Sequence, residues 1–344
     1  MTIYLLVFAG ALVLAIGATP VARYLAPRMG MVDQPEARKI HEQPVPRLGG
    51  AAILVAVVAA ALVLGERYRF EQFGSIVVGA TGVSFMGLID DRWGLHAFVK
   101  LAGQIAAALL LYVSGINVST FHQPAVSLIV TVFWVVYITN AINLLDNMDG
   151  LAGGVAAIAA AHFALMCAFS GQYLVGALSV ALLGACLGFL RYNLNPANIF
   201  MGDSGSLFLG FMLAATGIKL SFPENASFVA WMIPVLVMAV PIFDTALVTV
   251  SRLRRGLNPL TTPGRDHVSH RLVAAGMTRW EAVLTIYVAS FVAGLLAIFV
   301  TRGSIAEGYI GGGAAALAGL YGLWRMERPP FWGAAREEGS GQSE

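Results

Sequence analysis

The chain has 344 residues, 58% of them hydrophobic and only 12% charged, where an ordinary soluble domain carries about 25% charged residues. With a mean hydropathy of +0.76, this leaves a soluble fold with a large core as a remote alternative. It points to an all-α, polytopic integral membrane protein embedded in a lipid bilayer. The net charge of +2 says little by itself, and no nucleic-acid partner is expected. Cys167 and Cys186 both lie in apolar runs, so they read as packing residues and not as a disulfide framework. The first apolar run has neither a basic leader nor a small-residue cleavage site, so it reads as a retained helix.

A bilayer core takes about 20 apolar residues per helix. Such runs occur at roughly 2–25, 49–65, 73–89, 98–115, 125–145, 151–169, 173–190, 207–222, 226–250, 281–301 and 305–324. The sequence therefore predicts about eleven spans, with the second and third short. Residues 1–325 form one transmembrane domain, and 326–344 form a disordered cytoplasmic tail. Of the 21 lysines and arginines, seventeen fall in one set of loops and span ends. The other set holds only Arg67, Arg69, Lys219 and Arg302. The positive-inside rule then puts the N-terminus outside, the C-terminus in the cytoplasm and the polar rim on the cytoplasmic face of the cell (inner or plasma) membrane.

That rim carries most of the chemistry. The first cytoplasmic loop reads Arg38-Lys39-Ile-His41-Glu-Gln-Pro44-Val-Pro46-Arg47-Leu-Gly49-Gly50. Its prolines stiffen the chain and Lys39, His41 and their neighbours offer cations to a phosphate. Positive-inside anchoring explains the same residues without a ligand. The next loop holds Asp90-Asp91-Arg92, followed by Lys100. Adjacent carboxylates perturb one another unless a cation stands near, which suits a base or a metal site. After the apolar run Val126 to Ile138 come Asn140, Asn143, Asp146 and Asp149, polar at every third position. On a helix, that spacing makes a slowly drifting stripe.

Further on, Asn198-Ile-Phe-Met-Gly202-Asp203-Ser204-Gly205-Ser206 precedes an apolar helix. A carboxylate beside flexible backbone and free N-terminal amides suits a phosphate with its Mg²⁺. The fifth loop contains Gly264-Arg265-Asp266-His267-Val-Ser269-His270-Arg271. Both histidines face one ligand if this stretch is helical, and with Arg265 and Arg271 alongside they favour an anion over zinc. Asp244, about two turns inside the ninth span, reads equally as a functional intramembrane carboxylate and as a hydrogen-bonded brace.

Together, in this order and on this many spans, these motifs resemble the polyprenyl-phosphate N-acetylhexosamine-1-phosphate transferase family. The Pro44-Val-Pro46-Arg47-Leu-Gly-Gly and Pro241-Ile-Phe-Asp244-Thr segments are similar to its bacterial undecaprenyl-phosphate GlcNAc-1-phosphate branch. The resemblance implies transfer of a sugar 1-phosphate from a UDP-sugar to polyprenyl phosphate, with Mg²⁺ (or Mn²⁺ in its place) and release of UMP. By motif match, Asp203 and Asn143 hold the metal, and Asp90 and Asp91 orient or deprotonate the lipid phosphate. Lys100 contacts phosphate. Asn140, Asp146 and Asp149 line the nucleotide-sugar side, with Asn198 in the segment leading to Asp203. His267, His270 and Arg271 match the family's histidine loop. That loop often reads His-x-His-His, whereas here Ser269 stands in place of one imidazole.

The chemistry implied is attack of one anionic phosphate on another. Repulsion is the main barrier, so cations and positioning should dominate over proton transfer. UDP-GalNAc and UDP-MurNAc-pentapeptide are alternative donors, and a homodimer is compatible with the sequence. A cation-coupled transporter is the alternative from another class. It would favour midplane ionisable groups and an internal repeat; only Asp244 leans that way.

Overall fold

The computed structural model describes residues 2–34, 44–62, 70–120, 123–222, 227–259, 262 and 264–331. Lys39 and His41 lie outside them, as does the tail from 332. The fold is all-α. In chain order the helices are α1 (Thr2–Leu25), α2 (Gly49–Leu62), α3 (Phe70–Trp93), α4 (Ala97–Val113), α5 (Pro124–Leu145), α6 (Leu151–Ser170) and α7 (Tyr173–Asn193). They continue as α8 (Gly202–Lys219), α9 (Ser227–Val237), α10 (Ala239–Arg254), α11 (Val268–Ala274), α12 (Arg279–Arg302) and α13 (Ile305–Met326). The one sheet among the described residues is a two-stranded antiparallel pair, β1 (Val32–Asp33) with β2 (Val45–Pro46).

Each predicted span has a helix, but helix length and apolarity separate them. Among the described residues six helices are long and apolar enough to cross a membrane, α1, α3, α5, α6, α7 and α12, or seven if the bent pair α9 and α10 is one span. α2 and α4, with 14 and 17 residues, rise only about 21 and 26 Å at 1.5 Å per residue. That is shorter than a hydrocarbon core of about 30 Å. The second predicted span is short, as expected, and the third is not: α3 runs 24 residues. The ninth predicted span is also not one rod. It breaks at Met238 into α9 and α10, bent by 76°, with Pro234 inside α9 and Pro241 in the first turn of α10. Prolines withdraw ladder donors and crowd the preceding turn, which is the usual cause of a sharp kink.

α8 is the central helix. Residues Ser204 through Gly217 are all buried, as expected of a helix that is apolar on every side and enclosed by others. α2, α3, α5, α6 and α7 pack around it. Close approach depends on glycine: a β-carbon on Gly50 would lie 2.1 Å from the Gly205 nitrogen of α8. Any side chain there would force α2 away from the start of α8. Outside this core, α1 lies along α7, while α12 packs on α6 and α9.

Candidate active site

Four helices bring their polar ends to one place: the C-terminal ends of α3 and α5, the first turn of α4 and the N-terminus of α8. Lys100 of α4 reaches between two carboxylates. Its Nζ lies 2.6 Å from Asp90 Oδ2 and 3.3 Å from Asp203 Oδ2. The other Asp203 oxygen accepts a hydrogen bond from Asn143 Nδ2 at 3.1 Å. The same amide donates to Ser206 Oγ at 2.8 Å. The other Asp90 oxygen accepts from the Leu95 amide, closing the α3–α4 turn. This cluster is partly open, with side-chain exposures of 12% for Asp90, 27% for Lys100 and 31% for Asp203.

Asp91 has a different task from its neighbour. Its two oxygens accept from the main-chain amides of Asp203 (2.9 Å) and Ser204 (3.1 Å). It thus caps α8 in trans, satisfying donors that a helix N-terminus leaves unpaired. Gly202 enters that turn with φ +68°, and a β-carbon on it would sit 2.5 Å from Asp91 Oδ2. Glycine is required there both for the dihedral and for the space. Asp91, expected with Asp90 to orient or deprotonate the lipid phosphate, also holds the metal-candidate residue Asp203 in place.

The remaining predicted residues divide in the same way. Asn140 forms an amide pair with Gln104 of α4 (Nδ2 to Oε1, 2.5 Å) and also donates to the Val136 carbonyl. Asp149 accepts from Asn195 Nδ2 and from the Ala197 amide, at 2.9 and 3.0 Å, and so fastens the α7–α8 loop. Asp146, just past α5, is half-buried. Burial, reinforced by the Asp203 carboxylate, pushes its pKa up to about 7. Asn198 and Arg265 are exposed.

His267 is buried, and its Nδ1 lies 2.7 Å from Asp244 Oδ2. His270 stands beside it, with ring centroids 6.2 Å apart. Burial, then His267 and Arg265 nearby, push its pKa down to about 4, so it is neutral at neutral pH. Arg271 is buried and tied to the Asp266 carbonyl, the Met326 carbonyl and Glu327 Oε1. It anchors α11 to the end of α13. Ser269 donates to Asn147 Oδ1 at 2.6 Å, and this fixes the histidine loop against the Asn140–Gly150 stretch.

Three participants went unrecognised in the sequence. Gln104 is 1% exposed and lies four residues after Lys100, hence on the same helix face; that spacing was a usable signal. Ser206 was visible within Gly-Asp-Ser-Gly-Ser. Tyr287 of α12, whose hydroxyl donates to the Gly150 carbonyl at 2.5 Å, carried no local signal.

Among the described residues, no three His, Cys, Asp or Glu side chains converge as a metal cage. Mg²⁺ does not need one: it takes one or two protein oxygens and completes its octahedron with water and substrate phosphates. Asp203 and Asn143, in hydrogen-bond contact and partly open, fit that mode once the amide presents its oxygen. Amide orientation is set by the local hydrogen-bond network.

The glycosyl transferase family 4 profile matches residues 73–221, which spans α3 through α8. A probable undecaprenyl-phosphate N-acetylglucosaminyl 1-phosphate transferase of Bacillus subtilis is 38% identical over 298 residues, covering 83% of this chain and 82% of that protein. The decaprenyl-phosphate N-acetylglucosaminephosphotransferase of Mycolicibacterium smegmatis is 37% identical, covering 78% and 75%. The undecaprenyl-phosphate alpha-N-acetylglucosaminyl 1-phosphate transferase of Escherichia coli K12 is 28% identical, covering 78% and 76%. By this identity across most of both chains, the protein belongs to glycosyl transferase family 4, among the polyprenyl-phosphate N-acetylhexosamine-1-phosphate transferases.

Proposed function

We propose that the protein transfers GlcNAc 1-phosphate from UDP-GlcNAc to undecaprenyl or a similar polyprenyl phosphate, releasing UMP, on the cytoplasmic face of the cell membrane. The observation that carries this reading is Lys100 set between Asp90 and Asp203, with Asn143 on the far side of Asp203. Such a group of one cation and two carboxylates at a membrane rim suits two phosphates and a divalent cation.

In the reaction an oxygen of the lipid phosphate attacks the phosphorus that bears the sugar. A new P–O bond forms, the bond to the uridine-side phosphate breaks, and UMP leaves with the electron pair. Asp203 and Asn143 would hold Mg²⁺, which when bound neutralises charge on the pyrophosphate. Lys100 supplies a cation to the incoming lipid phosphate, and Asp90 holds the ammonium in place. Asp91 keeps the first amides of α8 fixed, so the Asp203 carboxylate stays aimed at the opening. A phosphate monoester has a second pKa near ~6 and is largely ionised at neutral pH, so positioning outweighs deprotonation.

The test is UMP release by detergent-purified protein given undecaprenyl phosphate, Mg²⁺ and each of UDP-GlcNAc, UDP-GalNAc and UDP-MurNAc-pentapeptide. Turnover is expected with UDP-GlcNAc, and EDTA should stop it. No UMP from any donor would overturn the proposal, and turnover with another donor alone would replace the sugar.

A further inference from the structure

Asp244 has no part in the cluster described above, yet it is fully buried in α10 (0% exposed). An ionisable group at such a depth is costly unless it is partnered. Both its oxygens are used, and both on the histidine loop: Oδ2 lies 2.7 Å from His267 Nδ1, and Oδ1 accepts from the Val268 amide at 2.7 Å. Val268 is the first residue of α11, whose own N-cap position is His267, with no side-chain cap. Asp244 therefore caps α11 from a different helix while gripping the imidazole.

The chain reaches this arrangement through the 76° break at Met238, which re-aims α10 relative to α9. α11 is then secured toward the site by Ser269 on Asn147, four residues beyond Asn143. From these contacts we infer that Asp244 is a positioning residue for transfer: it keeps the His267 proton on Nδ1 and leaves Nε2 as the ring nitrogen presented to substrate. A carboxylate accepts hydrogen bonds only, so Nδ1 must be the donor whether the ring is neutral or protonated. The pairing follows the general rule that the bond made by one imidazole nitrogen fixes the role of the other.

This rests on the transferase reading, and Asp244→Asn separates the two. The single side-chain oxygen of the asparagine still caps Val268, but its NH₂ faces Nδ1 and forces the ring proton onto Nε2. Expected are a fall in kcat on the order of 100-fold, a KM for UDP-GlcNAc changed less than about threefold, and little change in melting temperature. Histidine ¹⁵N NMR of the substrate-free protein, with His267 assigned by His267→Ala, should show Nδ1–H in the wild type and Nε2–H in the variant. Asp244→Asn combined with His267→Ala should be no slower than His267→Ala alone. Additive losses, an unchanged kcat in Asp244→Asn, or Nε2–H in the wild type would each overturn the assignment. The wild-type spectrum decides even if the variant fails to fold. Wild-type Nδ1–H together with no transferase turnover would sink the transferase reading and leave the tautomer assignment standing.

Discussion

Two charged clusters sit at the same end of this bundle and differ in what surrounds them. One is Asp90–Lys100–Asp203–Asn143. The other joins α10, α11 and the end of α13. In it Arg252 Nε lies 3.0 Å from Asp266 Oδ2, Arg255 lies 2.7 Å from Asp266 Oδ1 and Arg271 lies 2.8 Å from Glu327 Oε1. The ion-pair distances are alike. The burial of the carboxylates is not: Asp266 and Glu327 are 3% and 4% exposed, against 31% for Asp203, while Arg255 is as open as Lys100 at 27%. A sealed pair whose partners already satisfy it has no capacity for substrate, whereas a partly open one can exchange an internal partner for a ligand. Opening, and not charge, separates the site from the scaffold.

The comparison can be broken in order of effect. Asp203→Ala should lower UMP release by at least about 10³-fold, as removal of a principal electrostatic group does. Its melting temperature in detergent should stay within a few degrees of wild type. Wild-type turnover in that variant would remove Asp203 from the chemistry. Asp266→Ala leaves Arg252 and Arg255 without their shared carboxylate, and breaking the buried Arg252 pair costs about 3–5 kcal/mol. Thermal unfolding should show that loss, while the kcat of the folded fraction should change by less than about threefold. A stable but inactive Asp266→Ala protein would mean that the second cluster also serves catalysis.

Lys100→Met should cost about 10²-fold in turnover, and the loss should be steepest at low polyprenyl phosphate if the ammonium meets the acceptor. An effect confined to UDP-GlcNAc would reassign it to the donor side. The smallest effect concerns His270. Its folded pKa of about 4 lies below the ordinary 6.5, so the unfolded chain binds the proton first as pH falls. Stability should decline on acidification from about 6.5 toward about 4 and be flat through this group above 6.5. His270→Gln should flatten that part of the melting curve; an unchanged slope would refute the burial argument.

Much of the site was legible because its parts sit at helix ends. Asp90, Lys100, Asn143 and Asp203 each follow or precede an apolar run, and their gathering on one rim needed only the alternation of spans. Side-chain direction is not legible in the same way. Asp91 turned to the amides of α8, Asp149 to the α7–α8 loop and Arg271 to Glu327. None of these destinations is adjacent in sequence. Adjacent residues on a helix of 3.6 per turn point about 100° apart, so Asp90 meets the Lys100 ammonium while Asp91 meets the Asp203 and Ser204 amides.

The sequence by itself determined the solvent of this protein, its helical class and the edge on which its polar groups lie, because apolar run length and loop charge answer to the bilayer and not to particular neighbours. Tertiary structure alone decided that Asp91 turns to the amides of α8 and that Asp244 grips His267. Those depend on contacts between residues 23 to 113 positions apart, and no local pattern encodes such distances.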